Sequence, residues 1–176
     1  GLAIVSDEVF ADFAHDAAPP AGALAGAGDG PLHFVLSGAS KVLALPQLKI
    51  AWIVVAGPAT ARDEALARLE FIADAYLSVS PLLAGALPEL LEQREAIQHP
   101  IRARVARNRA AITASGLEVL PAEAGWQAIV RVAGHDEDAL AAALLDAGVL
   151  AQPGALFDLE EHGAAHLVVS LLPEPV

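Results

Sequence analysis

The feature that most constrains the fold is a set of three short apolar runs, "LAIVS", "LHFVLS" and "IAWIVVAG", in the first third of the chain. Runs of this length, bounded by acidic residues, Gly or Pro, are typical of strands buried in a parallel sheet. Between the first two runs lies "AHDAAPPAGALAGAGDGP", whose Gly and Pro content predicts a loop. We expect the three strands to form one unit, each fully buried in a parallel sheet.

A helical region and a second mixed layer are predicted to follow. Apolar spacing predicts helices over about 61–75 and 82–97, and a third that starts at Pro100 and stops at Gly116. "LEVL" and "WQAIVRVAG" predict a strand pair, "DEDALAAALLDAG" a helix, and "VLAQPG" and "AHLVVSLL" two more strands. We therefore divide the chain into 1–56, part of a larger sheet domain, 57–112, connecting helices, and 113–176, a small α+β domain.

Composition excludes several classes of function. A net charge of -12 and dispersed arginines disfavour a nucleic-acid partner, and no apolar stretch reaches the roughly 20 residues that a membrane span needs. The chain has no cysteine, and its six histidines show no metal-ligand spacing, so we predict no metal site and a soluble, cytoplasmic protein. Because the chain lacks methionine and opens on an apolar strand, we expect it to be a fragment.

The only two lysines, Lys41 and Lys49, lie in the apolar stretch "SGASKVLALPQLKIAW". Asp7 follows the first predicted strand and Lys41 the second, so parallel strands would bring a carboxylate and an amine to one sheet edge, where ligands bind. Apolar surroundings favour the uncharged, nucleophilic amine, and hydroxyl neighbours can bind an anion. Spacing alone leaves open that Lys41 is a surface residue. A Ser-x-x-Lys hydrolase is excluded because Gly38 occupies the serine position.

Taken in order, several segments resemble one family. "SDEVFADF", "SGASKVLALPQLKIAWI", "YLSVSP", "AGWQAIVRV", "VLAQPGALFD" and "HLVVSLL" are similar to the C-terminal portion of fold-type I aminotransferases of class I/II, which use pyridoxal 5'-phosphate (PLP). The resemblance implies an α/β fold: the end of the large-domain sheet, long connecting helices and a small C-terminal domain. It also implies a homodimer that moves an amino group between an amino donor and a 2-oxo acid. The fragment alone is expected to be inactive.

The same resemblance implies roles for individual residues. Lys41 would form the internal aldimine with PLP and carry the proton between substrate and cofactor. Asp7 would pair with the pyridinium nitrogen. Ser40 and Ser37 would bind the cofactor phosphate, and Lys49 falls where such enzymes usually carry a phosphate-binding arginine.

Some positions depart from the family pattern. Lys49 loses the bidentate fork of arginine, and Gly38 stands where many members have a phosphate-binding hydroxyl. Phe10 replaces a tyrosine that donates to the 3'-oxygen of the cofactor and cannot make that bond. Val168 occupies the position of the arginine that usually binds the substrate carboxylate, which leaves the substrate unidentified. Arg131 is a candidate to replace that contact.

Two alternatives on the same fold remain open. One is a PLP-dependent lyase or decarboxylase, since the choice of the bond that breaks depends on groups outside this sequence. The other is a PLP-binding effector domain of a transcription regulator. The sequence upstream of Gly1 would distinguish the regulator from the enzymes, because a basic winged-helix segment there would favour the regulator.

Overall fold

The computed structural model describes residues 2–15, 30–76, 78–159 and 164–173. The chain divides into two compact units, Gly1–His99 and Pro100–Val176. The strands are β1 (Ile4–Asp7), β2 (His33–Gly38), β3 (Ala51–Ala56), β4 (Glu118–Val119), β5 (Gln127–Ala133), β6 (Gln152–Pro153) and β7 (Ala164–Ser170). The helices are α1 (Ala39–Val42), α2 (Ala59–Ala75), α3 (Pro81–Glu92), α4 (Arg94–Ala114) and α5 (Glu137–Asp146). Three 3-10 turns span Ala11–Phe13, Pro46–Leu48 and Gly154–Phe157.

The first unit contains a three-stranded sheet in the order β1-β2-β3. β1 runs parallel to β2, and β3 runs antiparallel to β2. All three predicted strands are confirmed, but the expected parallel sheet is wrong for β3, because α1 and the turn Pro46–Leu48 lead the chain back along β2. Most of the predicted loop between the first two strands lies outside the described residues. The expected burial of β1 and β3 is wrong: Val5 is 66% and Ile53 43% exposed, and within the described residues both are edge strands of this sheet.

The core of the first unit forms around α1. Ala39, Val42, Leu43 and Ile50 are buried together, and the leucines of α3 pack against them. These leucines recur at helical spacing and so form one apolar stripe: Leu83, Leu87, Leu90 and Leu91. Trp52 also packs against this cluster. The short helix α1 is therefore held by apolar contacts along its buried side.

The helix boundaries in the middle of the chain differ from the prediction. α3 ends at Glu92, and α4 begins at Arg94 and continues through Pro100, where the sequence predicts a helix start. A proline inside a helix lacks the N–H that would close a backbone hydrogen bond. Here the turn before Pro100 stays helical because Ile97 packs against the α1 cluster and the Gln98 side chain bonds to the Val42 carbonyl. None of the described helices is long and apolar enough to cross a membrane.

The second unit contains a four-stranded antiparallel sheet in the order β4-β5-β7-β6. One face carries Ala128 and Val169, which pack with Val105 of α4, Leu171 and Trp126. The predicted strands, the helix α5 and the glycine stop after α4 are confirmed, since Gly116 has the left-handed φ of +84° that favours glycine.

A single carboxylate joins α5 to the turn after β6. Glu137 accepts hydrogen bonds from the backbone N–H groups of Gly154, Ala155 and His166 at 3.0, 3.0 and 3.2 Å. A Cβ at Gly154 would lie 2.6 Å from the Cβ of His166, so only glycine fits this close approach. The 3-10 turn that carries Phe157 is thereby fixed against β7.

Candidate functional site

The carboxyl ends of β1 and β2 lie side by side. Asp7 pairs with Leu36 in the parallel register, and the Glu8 N–H donates to the Leu36 carbonyl at 3.0 Å. β2 ends two residues later at Gly38, and α1, which carries Lys41, starts directly after it. The prediction that Asp7 and Lys41 lie at one sheet edge requires β1 and β2 to be parallel, and they are. Ligands commonly bind at such an edge.

Lys41 contacts the segment that follows β1. Its Nζ atom lies over the ring of Phe10, 5.5 Å from the ring centroid, at a distance typical of a cation–π contact. Phe10 comes three residues after Asp7 and directly precedes the turn Ala11–Phe13. This contact brings together two of the residues predicted for the site and shows that the loops after both strands meet.

Asp7 and Glu8 have different local surroundings. Asp7 is exposed, and its Oδ1 atom accepts a hydrogen bond from the Val9 N–H at 3.1 Å, which fixes the turn after β1. Glu8 is half-buried and accepts a hydrogen bond from the Ser6 hydroxyl at 3.0 Å. Asp7 is therefore the carboxylate of this pair that is open to a ligand's positive charge.

Two hydroxyl groups flank a glycine that has no room for a side chain. Ser37 is the last but one residue of β2, Ser40 lies in α1, and both are half-buried. A Cβ at Gly38 would lie 2.9 Å from the carbonyl oxygen of Ile50, because β3 runs close beside it. The close backbone approach therefore excludes a side chain at position 38, and the hydroxyl groups available next to it are those of Ser37 and Ser40.

The two lysines occupy different environments. Lys41 is half-buried, whereas Lys49 is exposed and follows the turn Pro46–Leu48 in a left-handed conformation with φ of +55°. Ala44, at the start of the same loop, also has a left-handed φ of +53°. A left-handed backbone conformation costs roughly 1 kcal/mol for a residue with a Cβ, so contacts elsewhere in the unit must offset this cost at Ala44 and Lys49.

One polar residue close to this site, Gln98, is not among the residues that the sequence predicts for it. Gln98 of α4 is only 2% exposed, and its side-chain amide donates to Asp12 and to the Val42 carbonyl. The available signal is its spacing, since Gln98 falls on the helix face that also carries Ile101 and Val105. A polar residue on an apolar face usually has a specific partner.

Val168 lies in the wall of an apolar cavity in the second unit. The side chain is 6% exposed in β7, opposite Ile129 of β5, and the cavity has a volume of about 290 Å³. Among the described residues, its lining includes Phe157 and Leu159 and carries no charged side chain, with Gln127 as the polar member. Arg131 lies outside this lining and forms a 3.2 Å ion pair with Glu118 across the β4–β5 ladder.

The chemistry of the residues at the first unit's sheet edge suits PLP. An exposed carboxylate, a half-buried amine and two hydroxyls are the groups that a pyridinium nitrogen, an aldehyde and a phosphate would bind. The Phe10 ring adds an apolar surface beside the amine. The residues present therefore fit this cofactor.

Solved structures show the class of fold. Aspartate aminotransferase from Thermotoga maritima matches with a TM-score of 0.78 at 15% identity, over 99% of this chain and 44% of that chain. Aromatic aminotransferase from Pyrococcus horikoshii matches with 0.74 at 20%, over 98% and 47%. A Thermus thermophilus aspartate aminotransferase mutant matches with 0.72 at 21%, over 97% and 44%. The fold is that of these aminotransferases, and the chain spans less than half the length of each.

The family follows from the sequence match. The family described as aminotransferase class I and II matches residues 1–167, which is most of the chain. The chain belongs to this family. A comparison with curated protein sequences gives no match.

Proposed function

We propose that this chain is part of a PLP-dependent aminotransferase that moves an amino group from an amino donor to a 2-oxo acid. The contact between Lys41 and Phe10 carries the proposal, because it brings the loops after two parallel strands together around an amine. When bound, the cofactor supplies an electron sink for the bonds at the substrate's α-carbon. We further propose that the intact protein works as a homodimer in the cytoplasm.

Each residue at the sheet edge has a proposed task. Lys41 holds the cofactor covalently and moves a proton once its amine is released. Asp7 holds a proton on the ring nitrogen through its negative charge. Ser37, Ser40 and Lys49 bind the phosphate, with Lys49 acting as a single charge in place of a bidentate arginine.

Reductive labelling tests the proposal. The intact protein is incubated with PLP, treated with borohydride, digested and mapped by mass spectrometry. Because the stretch described here contains only two lysines, a label on the peptide of Lys41 and none on that of Lys49 supports the assignment. A protein that gains no visible absorbance with PLP, or carries the label on Lys49, contradicts it.

Phe10 offers a spectroscopic prediction. A tyrosine here would donate a hydrogen bond to the 3'-oxygen of the cofactor, which phenylalanine cannot do. We expect Phe10→Tyr to lower the pH midpoint of the visible absorbance change by about one unit. The new hydrogen bond stabilises the negative 3'-oxygen of the cofactor and so favours the deprotonated form of the covalent link between Lys41 and the cofactor. A pH titration of the absorbance measures it, with Phe13→Tyr as the control, and an unchanged midpoint would contradict the placement of Phe10 beside the cofactor.

Val168 offers a prediction about the substrate. The apolar lining around Val168 cannot form an ion pair with a carboxylate, so we propose a donor whose carboxylate is bound by another group or is absent. We expect Val168→Arg to raise kcat/KM for ordinary α-amino acids by about 10- to 100-fold, since a hydrogen bond to a charged group contributes about 1.5–3 kcal/mol. Initial rates with a panel of amino donors measure the change.

The control for this substitution is Val168→Met, which adds volume without charge. We expect it to leave the preference among amino donors unchanged. An equal gain in kcat/KM for α-amino acids in Val168→Met and Val168→Arg would contradict the proposal that a positive charge at position 168 binds the substrate carboxylate. Thermal unfolding of both variants identifies any loss of stability from the buried guanidinium.

A further inference from the structure

Gln98 makes two hydrogen bonds through one buried amide group. Its Nε2 atom donates to Asp12 Oδ2 at 2.7 Å and to the Val42 carbonyl at 2.8 Å. A carboxylate and a carbonyl only accept, so the amide must direct its NH₂ group, which has two N–H bonds, towards both. The bridge therefore uses both donors of a side chain that is 2% exposed.

One end of the bridge holds the helix that carries the amine. α1 has four residues, and backbone N–H groups of the residues after it donate to the carbonyls of Ala39 and Lys41. Gln98 supplies the partner for Val42, the residue directly after Lys41. Val42 is also buried in the α1 cluster, so its backbone is fixed by both packing and a hydrogen bond.

The other end holds the segment that carries the aromatic ring. Asp12 lies in the turn Ala11–Phe13, which follows Phe10 without a gap, and the buried side chain of Phe13 anchors the same turn. The loops after β1 and β2 are thus joined by the contact of Lys41 with Phe10 and also by the bridge from Asp12 through Gln98 to Val42.

We propose that Gln98 is a positioning residue that sets where the Lys41 amine stands relative to the Phe10 ring, and hence how readily Lys41 captures an aldehyde such as PLP. Gln98 lies 57 positions beyond Lys41 and acts through Val42 and Asp12 without touching the cofactor. The proposal rests on the function proposed above.

The experiment measures the rate at which Lys41 becomes labelled when the intact protein meets PLP and borohydride. Three variants are compared with the wild type: Asp12→Ala removes one acceptor at an exposed position, Asp12→Asn keeps an acceptor of the same size without the charge, and Gln98→Leu removes both donors. We expect Asp12→Ala and Gln98→Leu to slow labelling by about tenfold or more, and Asp12→Asn to stay within about threefold of the wild type.

Rescue by Asp12→Asn distinguishes positioning from a general loss of structure. Both Asp12 variants are expected to fold, because the substituted side chain is exposed, so the pair remains informative if Gln98→Leu fails to fold. Thermal unfolding without cofactor checks that both are folded at the assay temperature, with a lower midpoint expected for Asp12→Ala because it removes the acceptor of a buried N–H of Gln98. Labelling of Asp12→Ala at the wild-type rate would overturn the proposal, as would equal slowing in both Asp12 variants. If the wild type itself takes no label, the proposed function fails rather than the role of Gln98.

Discussion

Replacing Lys41 with alanine in the intact protein is expected to reduce amino transfer by at least about 10³-fold. Proton transfer by a positioned side chain contributes roughly 10²–10⁴-fold, and the variant also loses the nucleophile that captures the cofactor. Alanine preserves the backbone of α1, because the buried contacts of this helix come from Ala39 and Val42, which are unchanged. Single-turnover kinetics and the visible spectrum measure the loss together.

Lys49→Ala is the matched control for this substitution, since it removes the other lysine of the same stretch. Lys49 is exposed and carries no covalent role in the proposal, so we expect a weaker affinity for PLP, by about tenfold or less, with Lys41 still labelled. An absorbance band that survives unchanged in Lys41→Ala would refute the central assignment. Equal losses in both variants would show that positive charge, rather than covalent attachment, is what the site needs.

Replacing Asp7 with asparagine is expected to lower kcat/KM by about 10- to 1000-fold. An opposite charge within about 4–6 Å shifts the pKa of a group by roughly 1–3 units, and each unit corresponds to about tenfold in an equilibrium or a rate. The loss of the carboxylate charge therefore lowers the fraction of cofactor with a protonated ring nitrogen. Steady-state kinetics at saturating PLP separates this effect from weaker cofactor binding.

Asparagine tests the charge without disturbing the local backbone. Its side-chain oxygen can still accept the hydrogen bond from the Val9 N–H that Asp7 accepts at 3.1 Å. The neighbouring substitution Glu8→Gln is the control, because that carboxylate already accepts from the Ser6 hydroxyl, and we expect less than a threefold change. A Glu8→Gln loss as large as that of Asp7→Asn would move the proposed ring partner to Glu8.

The sequence predicts those parts of the fold and the candidate site that depend on local patterns. Apolar runs located β2 and β3, and a glycine located the end of α4, because each signal is contained within a few residues. The boundary between α3 and α4 was missed, since the packing of Ile97 and the bond of Gln98 to Val42 outweigh the local tendency of Pro100 to start a helix.

The long-range parts of the site could not be predicted in the same way. Nothing near Asp12 or Val42 in sequence indicates that a glutamine from α4 joins them. The crowding at Gly38 also depends on the Ile50 carbonyl, just before β3, which lies 2.9 Å from a Cβ at that position because β3 pairs with β2 there. Family resemblance implies roles for single residues, whereas the contacts among those residues depend on strand pairing and side-chain packing, which no local pattern encodes.

The position of β1 at the edge of the described sheet has a consequence for association between copies of this chain. Within the described residues, β1 has no neighbouring strand along one side, and such an edge can pair with a strand of another molecule. The exposed side chains of Ile4 and Val5 add apolar surface at this edge. The acidic pair Asp7 and Glu8 stands at the far end of the strand, where like charges on two copies would repel. The segment that carries Asp7, the proposed ring partner, is therefore also an edge at which another strand can pair, and the charges of Asp7 and Glu8 oppose pairing between two copies of this edge.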